Sequence, residues 1–382
     1  MKTTKPTLLL HIGTCKTGTS ALQACLAKNQ QFLMKNKICY SEFHESNNFH
    51  LNLTLALIRE YFGKNGIDGE PIEIDFGSIP ITSALYQQTP AYITDRMKRR
   101  FHENNCDTLV ISDECLFEST IWWIFPRRLN SERLLSGRRD YIIRFFKEAF
   151  REFDIKIVCY LRRQDDYLES LYNQWSKGIN RAMYDTIFNP ASGKYKIDEA
   201  NAPNINMARF VNGMVDADYY AHLSRWAEIY GKENIIIRTY EKSRLPKGVE
   251  HDFFENILGL DSLADLHLYK EINAGFKKDI IEYKMAADLF DFPREIFELN
   301  ESPALAYLGG NKKNILTAGQ AADMLDYYKA SNEKIAREYL QRDDGVLFHD
   351  KRREPEDDYP GLSLQAAIDI SRELIRAVGK KD

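Results

Sequence analysis

The residues with the clearest chemical potential lie near the start of the chain, in Gly13-Thr14-Cys15-Lys16-Thr17-Gly18-Thr19-Ser20, after a short apolar run and before a stretch of helical periodicity. A glycine turn from a strand into a helix presents backbone N–H groups and the positive helix end to an anion, which suits a phosphate. Gly13 and Gly18 have the separation of the nucleoside-triphosphate loop GxxxxGK[ST], where a lysine after the second glycine reaches the β and γ phosphates. Here Thr19 holds that position, and the lysine is Lys16, two residues before Gly18. A lysine so early in the loop lies over a single 5′-phosphate and its bridge to the leaving or entering group.

A second cluster starts where another apolar run ends, in Tyr160-Leu161-Arg162-Arg163-Gln164-Asp165-Asp166-Tyr167-Leu168-Glu169-Ser170. Arg162 leaves a predicted strand, and Ser170 follows eight residues later on a predicted helix. A guanidinium fork binds two phosphate oxygens and a hydroxyl a third, so the pair suits a terminal phosphate separate from the one at the loop. Read alone, Arg162 is equally an ion-pair partner for Asp165 or Asp166, and Ser170 a solvated helix position.

Taken together, the two stretches resemble the PAPS-dependent sulfotransferases. His11-Ile12-Gly13-Thr14-Cys15-Lys16-Thr17-Gly18-Thr19-Ser20-Ala21-Leu22-Gln23 is similar to their 5′-phosphosulfate loop, above all in bacterial members whose loop runs HIGxxKTGTT. The Arg162/Ser170 spacing resembles their 3′-phosphate motif, and Arg225 to Gly231 and Ser331 to Leu340 also look like bacterial members. Cys15 stands where the bacterial pattern often has His, Ala21 where the cytosolic animal enzymes have an adenine-stacking Trp, and Gln164 where a proline is common. The resemblance implies a P-loop NTPase-like α/β fold and transfer of a sulfonate from 3′-phosphoadenosine 5′-phosphosulfate (PAPS) to an acceptor hydroxyl, leaving 3′,5′-adenosine bisphosphate. It further implies donor contacts from Cys15, Lys16, Thr17, Gly18, Thr19, Ser20, Arg162 and Ser170, Lys16 as the positive group on the leaving phosphate, and no metal requirement.

Sulfonyl transfer also needs a base for the acceptor proton. Glu114 is the first candidate, because it follows the predicted strand Thr108 to Ser112 and should face the same cleft as Arg162. The resemblance agrees, since the corresponding strand ends in the catalytic His of cytosolic sulfotransferases and several glycan sulfotransferases use Glu. The plain alternative is a helix cap or salt bridge. His50, His44 and Glu42 are reserve candidates from the region where glycan enzymes place their base, although each residue of this kind is more often a satisfied surface or core group. His11 is expected to shape the loop rather than move a proton.

For the acceptor, Arg127 to Arg151 holds eight basic residues (Arg127, Arg128, Arg133, Arg138, Arg139, Arg144, Lys147, Arg151) against three acidic ones. An anionic glycan could dock there with Trp122 and Trp123 on its sugar rings, but a solvated helix face beside a buried Trp pair is the stronger reading. The long polar loop Gly178 to Asn206 is expected to line the acceptor site. Bacterial relatives with such a loop resemble carbohydrate-modifying enzymes, which points to a sugar hydroxyl.

The elements that must position these groups follow from periodicity. Short apolar runs at Thr7 to Ile12, Ile38 to Tyr40, Thr108 to Ser112, Ile155 to Tyr160 and Asn234 to Thr239 predict strands. Helical spacing predicts helices at Thr19 to Met34, Phe49 to Phe62, Asp165 to Lys177 and Ala217 to Tyr230, the last closed by Gly231. Strands alternating with helices imply a parallel sheet with helices on both faces and ligands at the carboxyl ends of its strands. Beyond about Leu260 only helical segments remain, at Lys277 to Phe290, Gln320 to Leu340 and Leu362 to Val378. The expectation is one sulfotransferase domain over residues 1–382, with an α/β core in 1–260 and a helical region in 261–382.

Composition narrows the class further. A chain of 382 residues with 44% hydrophobic residues supports a large core, and 52 basic against 56 acidic residues lack the global positive field of a nucleic-acid binder. No apolar run reaches the length of a membrane span, and six cysteines without CxxC pairs suit a reducing, cytoplasmic compartment. Asn52-Leu53-Thr54 is a sequon by chance, inside a predicted helix. Two other readings stay open: a nucleotide kinase or NTPase, in which Leu109 to Glu114 would be a Walker-B-like strand, and a nucleotide-binding protein without turnover.

Overall fold

A computed structural model describes residues 5–40, 50–64, 88–118, 132–176, 197–198, 217–263, 266–267, 278–289, 314–351, 354–355 and 358–378. In chain order these form β1 (Thr7–Gly13), α1 (Thr19–Lys28), α2 (Gln30–Lys35), β2 (Ile38–Tyr40), α3 (Leu51–Lys64), α4 (Pro90–Glu103), β3 (Thr108–Ser112) and α5 (Cys115–Glu118). There follow α6 (Glu132–Ala149), β4 (Asp154–Leu161), α7 (Gln164–Ser176), α8 (Tyr219–Tyr230), β5 (Ile235–Thr239) and α9 (Val249–Asp252), which runs into a π turn at Phe253–Ile257. The last helices are α10 (Lys278–Leu289), α11 (Ala318–Tyr327), α12 (Lys329–Glu338) and α13 (Leu364–Val378).

The five strands are all parallel, in the order β2-β3-β1-β4-β5, so the strand that leads into the glycine loop lies at the centre. Alternation along the strands divides the core into two layers. Leu8, Leu10, Ile12, Leu109, Ile111, Ile157 and Cys159 pack with residues of α3, α4, α6 and α8. Leu9, Val110, Val158 and Tyr160 pack on the other face with α1, α2, α9 and the π turn. The expected α/β architecture with helices on both faces, and helical segments toward the C-terminus, is therefore present.

Two expected helices are each broken once. The Asn29 side chain donates to the Cys25 carbonyl at 2.7 Å and accepts from the His267 N–H at 3.0 Å, which ends α1 before α2 begins. A short polar side chain that bonds the helix's own carbonyls competes with continuation of the helix. The stretch from Gln320 to Leu340 divides at Tyr328 into α11 and α12. Helix α11 starts earlier than periodicity suggests, at a capping box in which Thr317 and Gln320 bond each other's backbone N–H groups.

The chain forms two compact units, one from 1–162, 218–272 and 330–350, the other from 163–217, 273–329 and 351–382. The first holds the whole sheet. In the second, Ile280, Ile370 and Leu374 form a small core. Beside it, buried Glu169 pairs with Lys278 at 3.4 Å and accepts the Leu316 N–H at 2.7 Å. Among the described residues no helix is long and apolar enough to cross a membrane.

Candidate functional site

The loop between β1 and α1 is held by tight backbone packing. Gly13 has φ +113°, and a Cβ there would lie 2.9 Å from the Glu114 carbonyl oxygen; Gly18 has φ +80°, and a Cβ would lie 2.7 Å from Val249 Cγ1. Both positions therefore demand glycine on conformation and on space. Between them Lys16 takes φ +64°, a left-handed conformation uncommon for a side-chain-bearing residue and frequent where function fixes the backbone. Thr14 fastens the loop to β4, its N–H and hydroxyl both donating to the Tyr160 carbonyl at 2.9 and 3.1 Å. The Thr17 hydroxyl closes the turn onto the Thr14 carbonyl at 2.6 Å. Helix α1 then opens at Gly18 with no side-chain cap and no acidic residue in its first turn, the arrangement that favours an anion.

Beneath the loop lies a buried polar network centred on Ser112. Its hydroxyl bonds His11 Nδ1 at 2.8 Å and accepts from Gln23 Nε2 at 3.1 Å, joining β3 to β1 and α1. Burial pushes the His11 imidazole down to about 3, so it is neutral and structural at physiological pH, in keeping with a residue that shapes the loop.

Three charged side chains gather at this loop. Glu114, half-buried at the turn after β3, accepts a hydrogen bond from the Thr19 hydroxyl. Burial raises its carboxyl above the usual range, opposed by Thr19 and by the charge of Lys16. Burial also lowers the Lys16 ammonium, with Arg162 acting in the same direction while Cys15 and Glu114 oppose. Arg162 leaves β4 and donates from Nη1 to the Lys16 carbonyl at 2.9 Å, and its guanidinium lies 5.6 Å from the centre of the Tyr240 ring. The Tyr219 hydroxyl fixes the Arg162 carbonyl at 2.7 Å. A raised carboxyl beside a lysine and an arginine at the carboxyl ends of adjacent strands can accept a proton while the two cations stabilise anionic groups.

The ion pair that competed for Arg162 belongs to its neighbour. In the second unit Arg163 binds Asp165 at 2.8 Å and Asp166 at 3.2 Å. Ser170 is also in that unit, half-buried on α7. Cys15 is half-buried and Ser20 exposed, whereas Thr17 is fully buried with its hydroxyl committed to the turn.

His50 is placed differently from the expectation of a reserve base. It is fully buried, its Nδ1 accepts from the Ser112 N–H at 3.1 Å, and its ring packs against Tyr40. That is the setting of a core histidine. Asp113, next to Glu114, is likewise part of the core. Its carboxylate accepts from the Thr54 hydroxyl and from the Cys115 N–H at 2.9 Å, and burial raises it to about 6. His44, Glu42, Trp122, Trp123, Arg127 and Arg128 lie outside the described residues, as does all of Gly178 to Asn206 except 197–198.

The described part of the basic stretch forms no positive face. Arg138 is buried, and Arg144 and Lys147 line a surface cleft between α6 and α8 together with Asp140, Glu148, Arg225 and Glu228. Arg225 pairs with Asp140 at 3.4 Å, and Lys147 donates to the Ile229 carbonyl at 2.6 Å. Signs there are balanced, as on a solvated helix face.

Sequence reasoning did not single out Tyr240, Tyr219 or Thr19's bond to Glu114. Tyr240 had a usable signal, since it is the first residue after a predicted strand, at the sheet edge where ligands collect.

The chain is similar to an uncharacterized protein of Archaeoglobus fulgidus, 27% identical over 256 residues that make up 63% of this chain and 62% of that protein. The chain thus spans less than two thirds of that relative's length. No known family's profile matches it.

Proposed function

We propose that the chain is a sulfotransferase that binds PAPS at the 13–20 loop and passes its sulfonate to an acceptor hydroxyl, on a carbohydrate. The observation that carries this reading is the arrangement of Lys16 ahead of Gly18 with Arg162 bonded to the Lys16 carbonyl and Glu114 at the same loop. In this reading the uncapped start of α1 and Lys16 hold the 5′-phosphosulfate, and Lys16 neutralises charge on the leaving phosphate. Arg162 holds the 3′-phosphate. Glu114 takes the acceptor proton. The sugar acceptor rests on the resemblance alone, and a reducing cytoplasmic setting on the cysteine pattern.

The kinase reading has less support. The residue after Gly18 is threonine, both carboxylate oxygens of Asp113 are occupied by Thr54 and Cys115, and Glu114 is engaged by Thr19. Titration calorimetry separates the two. Tight binding of 3′,5′-adenosine bisphosphate that ignores Mg²⁺ and disappears in Arg162→Ala supports the donor site, whereas preference for ATP with Mg²⁺ overturns it.

A further inference from the structure

Thr19 is the first residue of α1 and is almost completely buried, and its hydroxyl proton is donated to the Glu114 carboxylate. A hydroxyl carries one proton and donates one hydrogen bond at a time. The same hydroxyl stands at the anion-favouring end of α1, within the loop that also presents Lys16. Helix N-termini offer free backbone N–H groups to a phosphate, but the Thr19 side chain can join them only if its proton leaves Glu114.

We propose that Thr19 is a positioning residue whose single hydroxyl proton is contested between Glu114 and the 5′-phosphate of the donor, so that donor binding releases Glu114 from Thr19. The inference rests on the sulfotransferase reading above. Its consequence is order. With Thr19 bonded, one carboxylate oxygen of Glu114 is occupied and the anion is stabilised, which makes it a weaker base; with Thr19 turned to phosphate, that oxygen is open to the acceptor hydroxyl. The base is then readied by the donor, before the acceptor proton has to move. Lys16 and Arg162 keep two cations beside the released carboxylate and the arriving phosphate, so the exchange does not leave two anions facing each other alone.

The test is a double-mutant cycle on the affinity for 3′,5′-adenosine bisphosphate, measured by calorimetry, with thermal melts of each variant. Glu114→Ala frees the hydroxyl and removes a like charge, and should tighten binding about tenfold, the equilibrium equivalent of one charge-assisted hydrogen bond. In the Thr19→Val background only the charge is relieved, and the gain should shrink to about twofold; in the Thr19→Ser background it should return. Glu114→Gln tests the same point with Thr19 intact, because its amide oxygen still accepts the proton, and it should bind more weakly than Glu114→Ala. Equal gains in the threonine and valine backgrounds, equal affinities for Glu114→Ala and Glu114→Gln, or no gain at all overturn the exchange while leaving the donor site standing. Failure of the unsubstituted protein to bind the bisphosphate overturns the donor site itself.

Discussion

The strands on either side of β1 each run out into two consecutive residues of one charge, Asp113-Glu114 after β3 and Arg162-Arg163 after β4, and the members of each pair have different work. After β3 the first residue is used by the fold: Asp113 anchors Thr54 and the start of α5, while Glu114 meets the loop. After β4 the order is reversed, with Arg162 at the loop and Arg163 paired to Asp165 and Asp166. Strand alternation accounts for the reversal. Val110 and Tyr160 belong to the layer that packs α1, and Glu114 and Arg162 continue their parity, whereas Asp113 and Arg163 continue that of Ile111 and Leu161. Charge type marks a strand end as interesting; parity says which of two neighbours is available for chemistry.

That contrast can be attacked residue by residue. The largest effect is expected at β3, where under the proposed function Glu114→Gln should lower sulfonate transfer by at least ~100-fold, the usual worth of a general base, without weakening bisphosphate binding; full activity would remove Glu114 from the proposed mechanism. At β4, Arg162→Ala should weaken bisphosphate binding by about 100-fold and leave the melting temperature near that of the unsubstituted protein. Arg163→Ala should do the opposite, costing about 3 kcal/mol in denaturant unfolding because it removes the cation beside the buried Asp165 carboxylate, with affinity little changed.

Asp113 offers a pH test of its structural role. Its carboxyl is raised from 3.8 to about 6 in the folded protein, so the folded state holds the proton more tightly than the unfolded chain does. Stability from this group is therefore full below about pH 4 and declines as pH rises to about 6, by roughly 3 kcal/mol, after which it is level. Asp113→Asn should flatten that segment of a stability-against-pH curve; an unchanged slope would assign it to other groups. The smallest effect is expected at Tyr240→Leu, which removes the ring under Arg162 and should weaken bisphosphate binding by about threefold in the same calorimetric assay.

Much of this was legible beforehand. Each predicted strand appears within a residue or two of its expected ends, because a buried parallel sheet writes itself as short β-branched and leucine-rich runs such as Leu8 to Ile12 and Ile235 to Ile237. Lys16, Glu114 and Arg162 were also readable, since strand-to-helix junctions name their own residues. Other features depend on contacts between distant segments. Asn29 breaks its helix through His267, and His50 becomes a core residue because Ser112 faces it; neither partner is near in sequence. Tyr219 and Tyr240 support Arg162 from α8 and the end of β5, and nothing in their local sequence states that they share a neighbour.

The bond from the Ser112 N–H to the His50 ring has one more consequence. β2 pairs with β3 only as far as Tyr40 and Val110, and beyond that His50 continues the edge, its own N–H donating to the Ser112 carbonyl at 3.0 Å while its imidazole nitrogen stands where a strand carbonyl would be. The Ser112 amide is thus held by a side chain rather than by a neighbouring strand, directly beneath the loop on which Lys16 sits, and its hydrogen-exchange protection should fall in His50→Ala.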